Sequence, residues 1–80
     1  MTPDPFIKPI IVSPHAFERI QERGIVRHQV EAAIHTPDLK EAAKRGRLKV
    51  VKRFDNKVLH VFYRETQKSF VFVTAYWSKL

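Results

Sequence analysis

The 80-residue sequence contains no cysteine and no long apolar run. The absence of cysteine excludes disulfide bonds and cysteine-based zinc sites, and it suits a reducing compartment better than an oxidising one. The absence of a long apolar run leaves neither a membrane span nor an export signal. Gly-rich phosphate loops and G-x-S-x-G motifs are also missing, which argues against nucleotide-hydrolysing enzymes and serine hydrolases. A cytoplasmic protein without membrane association is therefore expected.

Acidic residues are scarce, and the chain is strongly basic as a result. Fifteen Lys and Arg residues stand against eight Asp and Glu residues, so the formal net charge is +7 at neutral pH. Seven of the basic residues lie between residues 40 and 53, where Glu41 is the single acid. A high net charge can serve solubility alone. Its clustering favours a binding surface for a polyanion.

The apolar pattern predicts one α+β domain with the element order β-α-α-β-β-β. A chain of this length can bury enough surface for one core only. Residues 1–8 are predicted to form an extended leader and residues 9–77 the folded domain, beginning with a short strand at residues 9–12. Ser13-Pro14 is a typical helix start and Gly24 a typical helix end, so the first helix covers about residues 14–23. The second helix follows Ile25 and stops before Pro37.

Three β-rich runs follow Gly46, at residues 47–54, 58–65 and 69–77. Their short connections predict an antiparallel meander that carries both helices on one face. The first strand is expected at an edge or beside the last strand. Residues 38–45 are predicted as one helical turn followed by a loop. The predicted core contains Phe17, Ile20, Val30, Ile34, Val61, Val73 and Ala75.

Alternation along the last strand assigns its side chains to two faces. Phe70, Phe72, Thr74 and Tyr76 make up one face, and Val71, Val73, Ala75 and Trp77 make up the other. The second set is uniformly apolar and is expected to meet the helices. On the preceding strand, Leu59 and Val61 are assigned to the core, which leaves His60, Phe62 and Arg64 beside Phe72 and Thr74. This outer mixture resembles a stacking platform for single-stranded bases, although a second small core or a dimer interface is an open alternative.

His15, Arg19 and Arg23 recur every four residues on the first helix and therefore project together. Two arginines at this spacing repel each other, so an external anion such as phosphate would account for them. The alternative is a solvated helix face with Arg19 and Glu22 as an ordinary surface pair. His15 lies in the first helical turn, where free N–H groups attract anions, and it could accept a proton there. Its alternative role is a simple hydrogen bond to a neighbour.

The segment His15-Ala16-Phe17-Glu18-Arg19-Ile20-Gln21-Glu22-Arg23-Gly24-Ile25 resembles a known family opening, H-A-x-x-R-x-x-x-R-G-I. That opening belongs to a family of small bacterial, archaeal and phage domains. Similarity continues through Val30, Ile34 and Pro37, the basic strand through Lys52, Leu59-x-Val61-x-Tyr63, and Val73-Thr74-x-Tyr76. The resemblance implies kinship with the RelE/ParE toxins and, more broadly, with the barnase–colicin-type ribonuclease fold. Val26 departs from the pattern, because family members commonly place a Ser or Thr cap there.

The resemblance implies a RelE-like fold and a metal-independent endoribonuclease, or a relative that has lost the activity. In RNA cleavage the 2′-hydroxyl attacks the adjacent phosphate. Under this hypothesis His15 is the base, Arg19 and Lys52 stabilise the phosphate, Thr74 binds a phosphate oxygen, and Tyr76 is a positioning group or weak acid. Further RNA contacts are assigned to Arg23, Arg47, Lys49, Arg53, His60 and Arg64.

Two other functions stay open on the sequence alone. One is a non-catalytic RNA-binding or nucleic-acid-binding module that uses the same basic surface. The other is a structural partner of an acidic, antitoxin-like protein. No metal site or cofactor is predicted, because His28 and His35 on the second helix have no carboxylate or cysteine that would complete a metal-ligand pattern. Both histidines are expected at the surface.

Overall fold

The computed structural model describes residues 8–79, in which two helices pack on one face of a five-stranded mixed sheet. The predicted α+β class is confirmed, and residues 1–7 of the predicted leader lie outside the described part. The helices are α1, Pro14–Glu22, and α2, Arg27–His35. The strands are β1, Ile10–Ile11; β2, Leu39–Ala42; β3, Leu48–Phe54; β4, Lys57–Glu65; and β5, Phe70–Lys79. A 3-10 turn, Lys44–Gly46, connects β2 to β3.

The strands follow the order β1-β5-β4-β3-β2 across the sheet. Strands β2 to β5 pair antiparallel in sequence order, as the meander prediction requires. The expectation of a wholly antiparallel sheet is wrong for β1, which pairs parallel with the start of β5 through Ile10–Phe70 and Ile11–Val71. Parallel neighbours need a long connection, and the two helices and three strands between β1 and β5 provide it. The position of β1 at an edge beside the last strand agrees with the prediction.

Strand β2 was not predicted, and the helical turn expected within residues 38–45 is wrong. All four β2 residues are exposed, so no apolar alternation marks the strand. Pairing with β3 forms it, from Leu39 opposite Val51 to Ala42 opposite Leu48. The strand therefore depends on contacts with residues distant in sequence, which override its weak local preference.

Helix α1 begins and ends at the predicted signals. Ser13 Oγ accepts a hydrogen bond from the Ala16 N–H at 3.2 Å, and proline occupies the first turn. Gly24 adopts a φ of 71°, and the N–H groups of Gly24 and Ile25 donate to carbonyls of the last turn. This pair of bonds is a Schellman motif, which needs the left-handed conformation that glycine adopts without cost.

Helix α2 begins without a side-chain oxygen at its N-cap, because Val26 stands there. Gln29 Oε1 accepts from the Val26 N–H at 3.1 Å, which supplies the reciprocal half of a capping box. The helix ends at His35, with Thr36 as its C-cap directly before Pro37, so it stops before Pro37 as predicted. Within residues 8–79, no helix is long and apolar enough to cross a membrane.

The core lies between the helices and the sheet. Its buried residues are Ile10, Ala16, Ile20, Ile25, Val30, Ala33, Ile34, Val50, Leu59, Val61, Tyr63, Phe72 and Ala75. The predicted burial of Ile20, Val30, Ile34, Val61 and Ala75 is confirmed. The predicted burial of Phe17 is wrong, because its position on α1 leaves the side chain 40% exposed.

A β-bulge in β5 changes which of its side chains face the core. Phe62 pairs with Thr74 and Tyr63 pairs with Phe72, which leaves Val73 as an extra residue on β5. One extra residue reverses the alternation of side chains between the two faces. Phe72 is only 5% exposed and joins the core, so its predicted place on the outer face is wrong. Val73, predicted to be buried, is half-buried.

Candidate functional site

We call the sheet face turned away from the helices the open face. Its side chains alternate with the core residues of β3, β4 and β5. They are Lys49, Val51, Arg53, Val58, His60, Phe62, Arg64, Thr74, Tyr76 and Ser78. Many of the residues predicted to contact RNA thus share one surface.

Helix α1 runs beside the part of β5 that has no strand partner on that side. Strand β1 pairs only with Phe70 and Val71. Farther along β5, Arg23 Nη1 donates to the Ala75 carbonyl at 2.7 Å and to Thr74 Oγ1 at 3.3 Å. These bonds tie the end of α1 to the strand and bring the predicted residues Arg23 and Thr74 together.

A depression of about 430 Å³ lies between the start of α1 and the β5 bulge. We call it the α1–β5 depression. Its lining consists of Ser13, His15, Ala16, Arg19, Arg47, Phe72, Val73 and Thr74. The structure therefore brings the predicted catalytic residues His15, Arg19 and Thr74 to one place, together with Arg47 from the start of β3.

His15 and Arg19 are in direct contact at this depression. Arg19 Nε donates a hydrogen bond to His15 Nε2 at 3.2 Å. Nε2 must therefore present its lone pair, which assigns the ring proton to Nδ1. The alternative ion pair between Arg19 and Glu22 does not form among the described residues. A proton-accepting nitrogen and a guanidinium consequently lie side by side.

Arg47 carries a buried nitrogen without a partner. Its Nε atom has no hydrogen-bond acceptor within residues 8–79. The side chain lines both the α1–β5 depression and a second depression on the open face that also contains Lys49 and Phe62. A buried N–H without an acceptor is costly, and a bound anion would supply one. Sequence reasoning grouped Arg47 with the RNA-binding residues but had no means of placing it beside His15.

The guanidinium groups of this region are not neutralised by carboxylates. Within residues 8–79, the ion pairs are Lys8–Glu65, Arg27–Glu31 and Lys49–Glu41. Arg19, Arg23 and Arg47 take part in none of them. Glu18 and Glu22 line a groove along α1 with His15, Arg19 and Arg23, and this groove shares His15 and Arg19 with the depression. Arg19 and Arg47 therefore bring two guanidinium groups to the depression that have no ion-pair partner among residues 8–79 and are available to an external anion.

An aromatic cluster on the open face adjoins this depression. The His60 and Tyr76 rings stack with centroids 4.7 Å apart and planes 9° from parallel. Phe62 lies beside Tyr76 with a centroid distance of 6.2 Å, and Lys49 Nζ is 5.8 Å from the Phe62 centroid. Tyr76 is 39% exposed, so the cluster is accessible from solvent. The aromatic cluster predicted for this face is present without Phe72.

His60 is held in its neutral form by its surroundings. Burial lowers the pKa of His60, and the positive charge of Lys49 lowers this pKa further. Its Nε2 lies 2.8 Å from Ser78 Oγ, whereas Nδ1 is enclosed without a partner. Burial disfavours the charged imidazolium, and the nearby Lys49 charge repels it, which explains the direction of the shift in the pKa of His60.

Lys52 does not reach this site. Its Nζ donates to the Thr36 carbonyl at 2.8 Å, at the end of α2. The residue thus lies on the helix-bearing face of β3, two strands away from β5. The predicted role of Lys52 as a phosphate-stabilising cation is therefore corrected, because strand alternation directs its side chain to the other face.

Arg53 and Arg64 share the open face but lie toward its ends. Arg53 Nε donates to the Asp55 carbonyl at 3.2 Å, beside the β3–β4 turn. Arg64 is exposed near the end of β4. Both are placed to contact a polyanion that extends beyond the depression. His28 and His35 are exposed on α2, as predicted, and in residues 8–79 no group of three or more His, Asp or Glu side chains could hold a metal ion.

Comparison with curated proteins and with solved structures yields no match. Comparison with protein families yields a match to a family described as a domain of unknown function, DUF4258. Its model matches residues 12–77, which include α1, the β5 bulge and the aromatic cluster. Since this match covers most of the sequence, the chain belongs to the DUF4258 family.

Proposed function

We propose that this protein is a metal-independent endoribonuclease that holds the scissile phosphate of single-stranded RNA in the α1–β5 depression. The observation that carries the proposal is the convergence of His15, Arg19, Arg47 and Thr74 on that depression. The buried Arg47 Nε, which has no acceptor in the described chain, is what a bound phosphate oxygen would satisfy. The resemblance to the RelE/ParE toxins supports the same class of activity.

The reaction that these groups support is attack of the RNA's own 2′-hydroxyl on the adjacent phosphorus. His15 Nε2 takes the hydroxyl proton, after exchanging its present donor, Arg19, for the substrate. The new bond joins the 2′-oxygen to phosphorus, and the bond to the 5′-oxygen breaks. The leaving oxygen takes a proton from solvent, and the products are a 2′,3′-cyclic phosphate and a 5′-hydroxyl.

The remaining residues of the site stabilise charge and hold the substrate. Arg19 is released from His15 when substrate binds, so its guanidinium can pair with the phosphate in the transition state. Arg47, directly before β3, supplies a second guanidinium. Thr74 Oγ1, placed at the bulge and bonded to Arg23, is available to a phosphate oxygen. Arg23, Lys49, Arg53 and Arg64 extend the positive surface for neighbouring phosphates.

Product analysis tests the proposed reaction. We expect the purified protein to cleave single-stranded RNA in the presence of a chelator and to leave 2′,3′-cyclic phosphate ends. The variant His15→Ala should lower the cleavage rate about 10²–10⁴-fold, which is the usual contribution of a general base. It should leave RNA affinity nearly unchanged, whereas Arg19→Ala should lower both.

The matched control is Lys52→Ala, which removes a positive charge on the other face and should leave cleavage unchanged once folding is verified. Products with 3′-hydroxyl ends would contradict the mechanism. Equal residual activity in wild type and His15→Ala would assign the cleavage to a contaminant. RNA binding without cleavage would then favour the non-catalytic module.

A further inference from the structure

We infer that the exposed face of the Tyr76 ring is a slot for one unpaired base, next to the phosphate in the α1–β5 depression. This inference rests on the proposed function, because it assigns the neighbouring part of the same RNA. It specifies that the substrate must be single-stranded at this point, since a base in a duplex is already stacked on both sides.

The two faces of the Tyr76 ring have different surroundings. His60 on β4 covers one face in a nearly parallel stack, 4.7 Å between centroids. His60 and Phe62 both extend from β4, so neither stacking partner comes from the other side of β5, where β1 no longer pairs. Tyr76 remains 39% exposed in spite of these contacts. Part of the aromatic ring is therefore available to a flat, apolar ligand.

The ring is also held in place, which a stacking site requires. His60 Nε2 and Ser78 Oγ are 2.8 Å apart, and this contact fixes the imidazole that backs Tyr76. Phe62, which also extends from β4, lies 6.2 Å from Tyr76 between ring centroids. A ring held by its neighbours loses little conformational freedom when a base stacks on it.

The surroundings of the free face match a nucleotide. Arg23 is held on β5 directly before Tyr76 through bonds to Thr74 Oγ1 and the Ala75 carbonyl, and it supplies positive charge there. Thr74 and Tyr76 are two residues apart on the same face of β5. Strand rise therefore separates them by about 7 Å, a span that one nucleotide covers between its phosphate and its base.

The inference is tested by RNA affinity in variants of Tyr76. The ligand is a single-stranded RNA decamer with 2′-O-methyl groups throughout, which lacks the attacking hydroxyl and so remains intact. Tyr76→Leu should raise its Kd roughly 5- to 150-fold, the usual range for loss of one stacked base. Tyr76→Phe keeps the aromatic face and should bind like wild type. Tyr63→Phe, in the core, is the matched control and should also leave the Kd unchanged.

A second readout keeps the test independent of overall affinity. A set of decamers is used, each with 2-aminopurine at a different position. At one position, saturation with the wild-type protein should quench the 2-aminopurine fluorescence. Saturation with Tyr76→Leu should not produce this quenching. Binding of the same sequence as a duplex should be weaker and insensitive to Tyr76→Leu.

Wild-type affinity and unchanged quenching in Tyr76→Leu would overturn the base slot. If Arg19→Ala still weakens binding in that case, the phosphate site and the proposed function survive. Absence of RNA binding by wild type at low salt would overturn both.

Discussion

His60 couples the folded state to pH through a single ring. Its pKa is lowered in the folded protein by burial and by Lys49, whereas the unfolded chain retains the ordinary value of 6.5. The unfolded state therefore binds the proton more tightly, and the free energy of unfolding must fall as the pH drops through the window below 6.5. This loss is complete once the pH is below the lowered pKa.

The variant His60→Phe tests this coupling, because it keeps an aromatic ring against Tyr76 but cannot titrate. Urea unfolding at pH 5 and at pH 7.5 should show a smaller loss of stability on acidification for His60→Phe than for wild type. The free energy of unfolding at pH 5 is compared with that at pH 7.5 for each protein separately. A loss of stability from the missing Ser78 contact that is the same at both pH values therefore cancels. Identical pH dependence in both proteins would contradict the assigned shift.

Single residues were predictable from sequence where local spacing decides their position. His15 and Arg19 are one helical turn apart, so their proximity was predictable. The structure shows a 3.2 Å hydrogen bond between them. The different positions of Lys52 and Arg47 could not be predicted in this way. Both belong to one basic segment, and their opposite placements depend on strand parity and on the turn that precedes β3.

The junction between α1 and α2 depends on the conformation of Gly24. Its φ of 71° lies in the left-handed region, and a Cβ there would meet no atom within 4 Å. The cost of a side chain is therefore conformational, not steric crowding by neighbours. Gly24→Ala should lower the free energy of unfolding by about 1–2 kcal/mol.

Chemical denaturation measures this cost, with Gln21→Ala as the matched control. Gln21 is exposed on α1, and its replacement should stay within about 0.5 kcal/mol of wild type. A Gly24→Ala variant as stable as wild type would show that the Schellman end of α1 is unimportant for this fold.

At the level of elements, the helices and the meander were predictable, and two features of the sheet were not. The ends of α1 and α2 carry local signals in Ser13, Gly24 and Pro37. Strand β2 has no apolar side to mark it, because all its residues are exposed. The bulge at Val73 lies in an apolar run and has no signal in the sequence. It nevertheless moves Phe72 into the core and away from the aromatic cluster.

In the molecule as a whole, most candidate site residues lie outside the hydrophobic core. Both helices lie on one face of the sheet, and the aromatic cluster of His60, Phe62 and Tyr76 lies on the other, the open face. Arg19, Arg47 and Lys49 add positive charge at the α1–β5 depression and on the open face. Such a surface attracts a polyanion from a distance and orients it before contact.

Residue-level mapping of RNA binding by NMR tests this account most directly. The 15N-labelled protein is titrated with the 2′-O-methylated single-stranded decamer, and amide shifts are followed. The account predicts the largest changes at residues 13–23, 47–49 and 72–76, and little change along α2 or at Lys52. Changes centred on α2 and β2, with none around His15 and Thr74, would contradict the central claim that RNA occupies the α1–β5 depression.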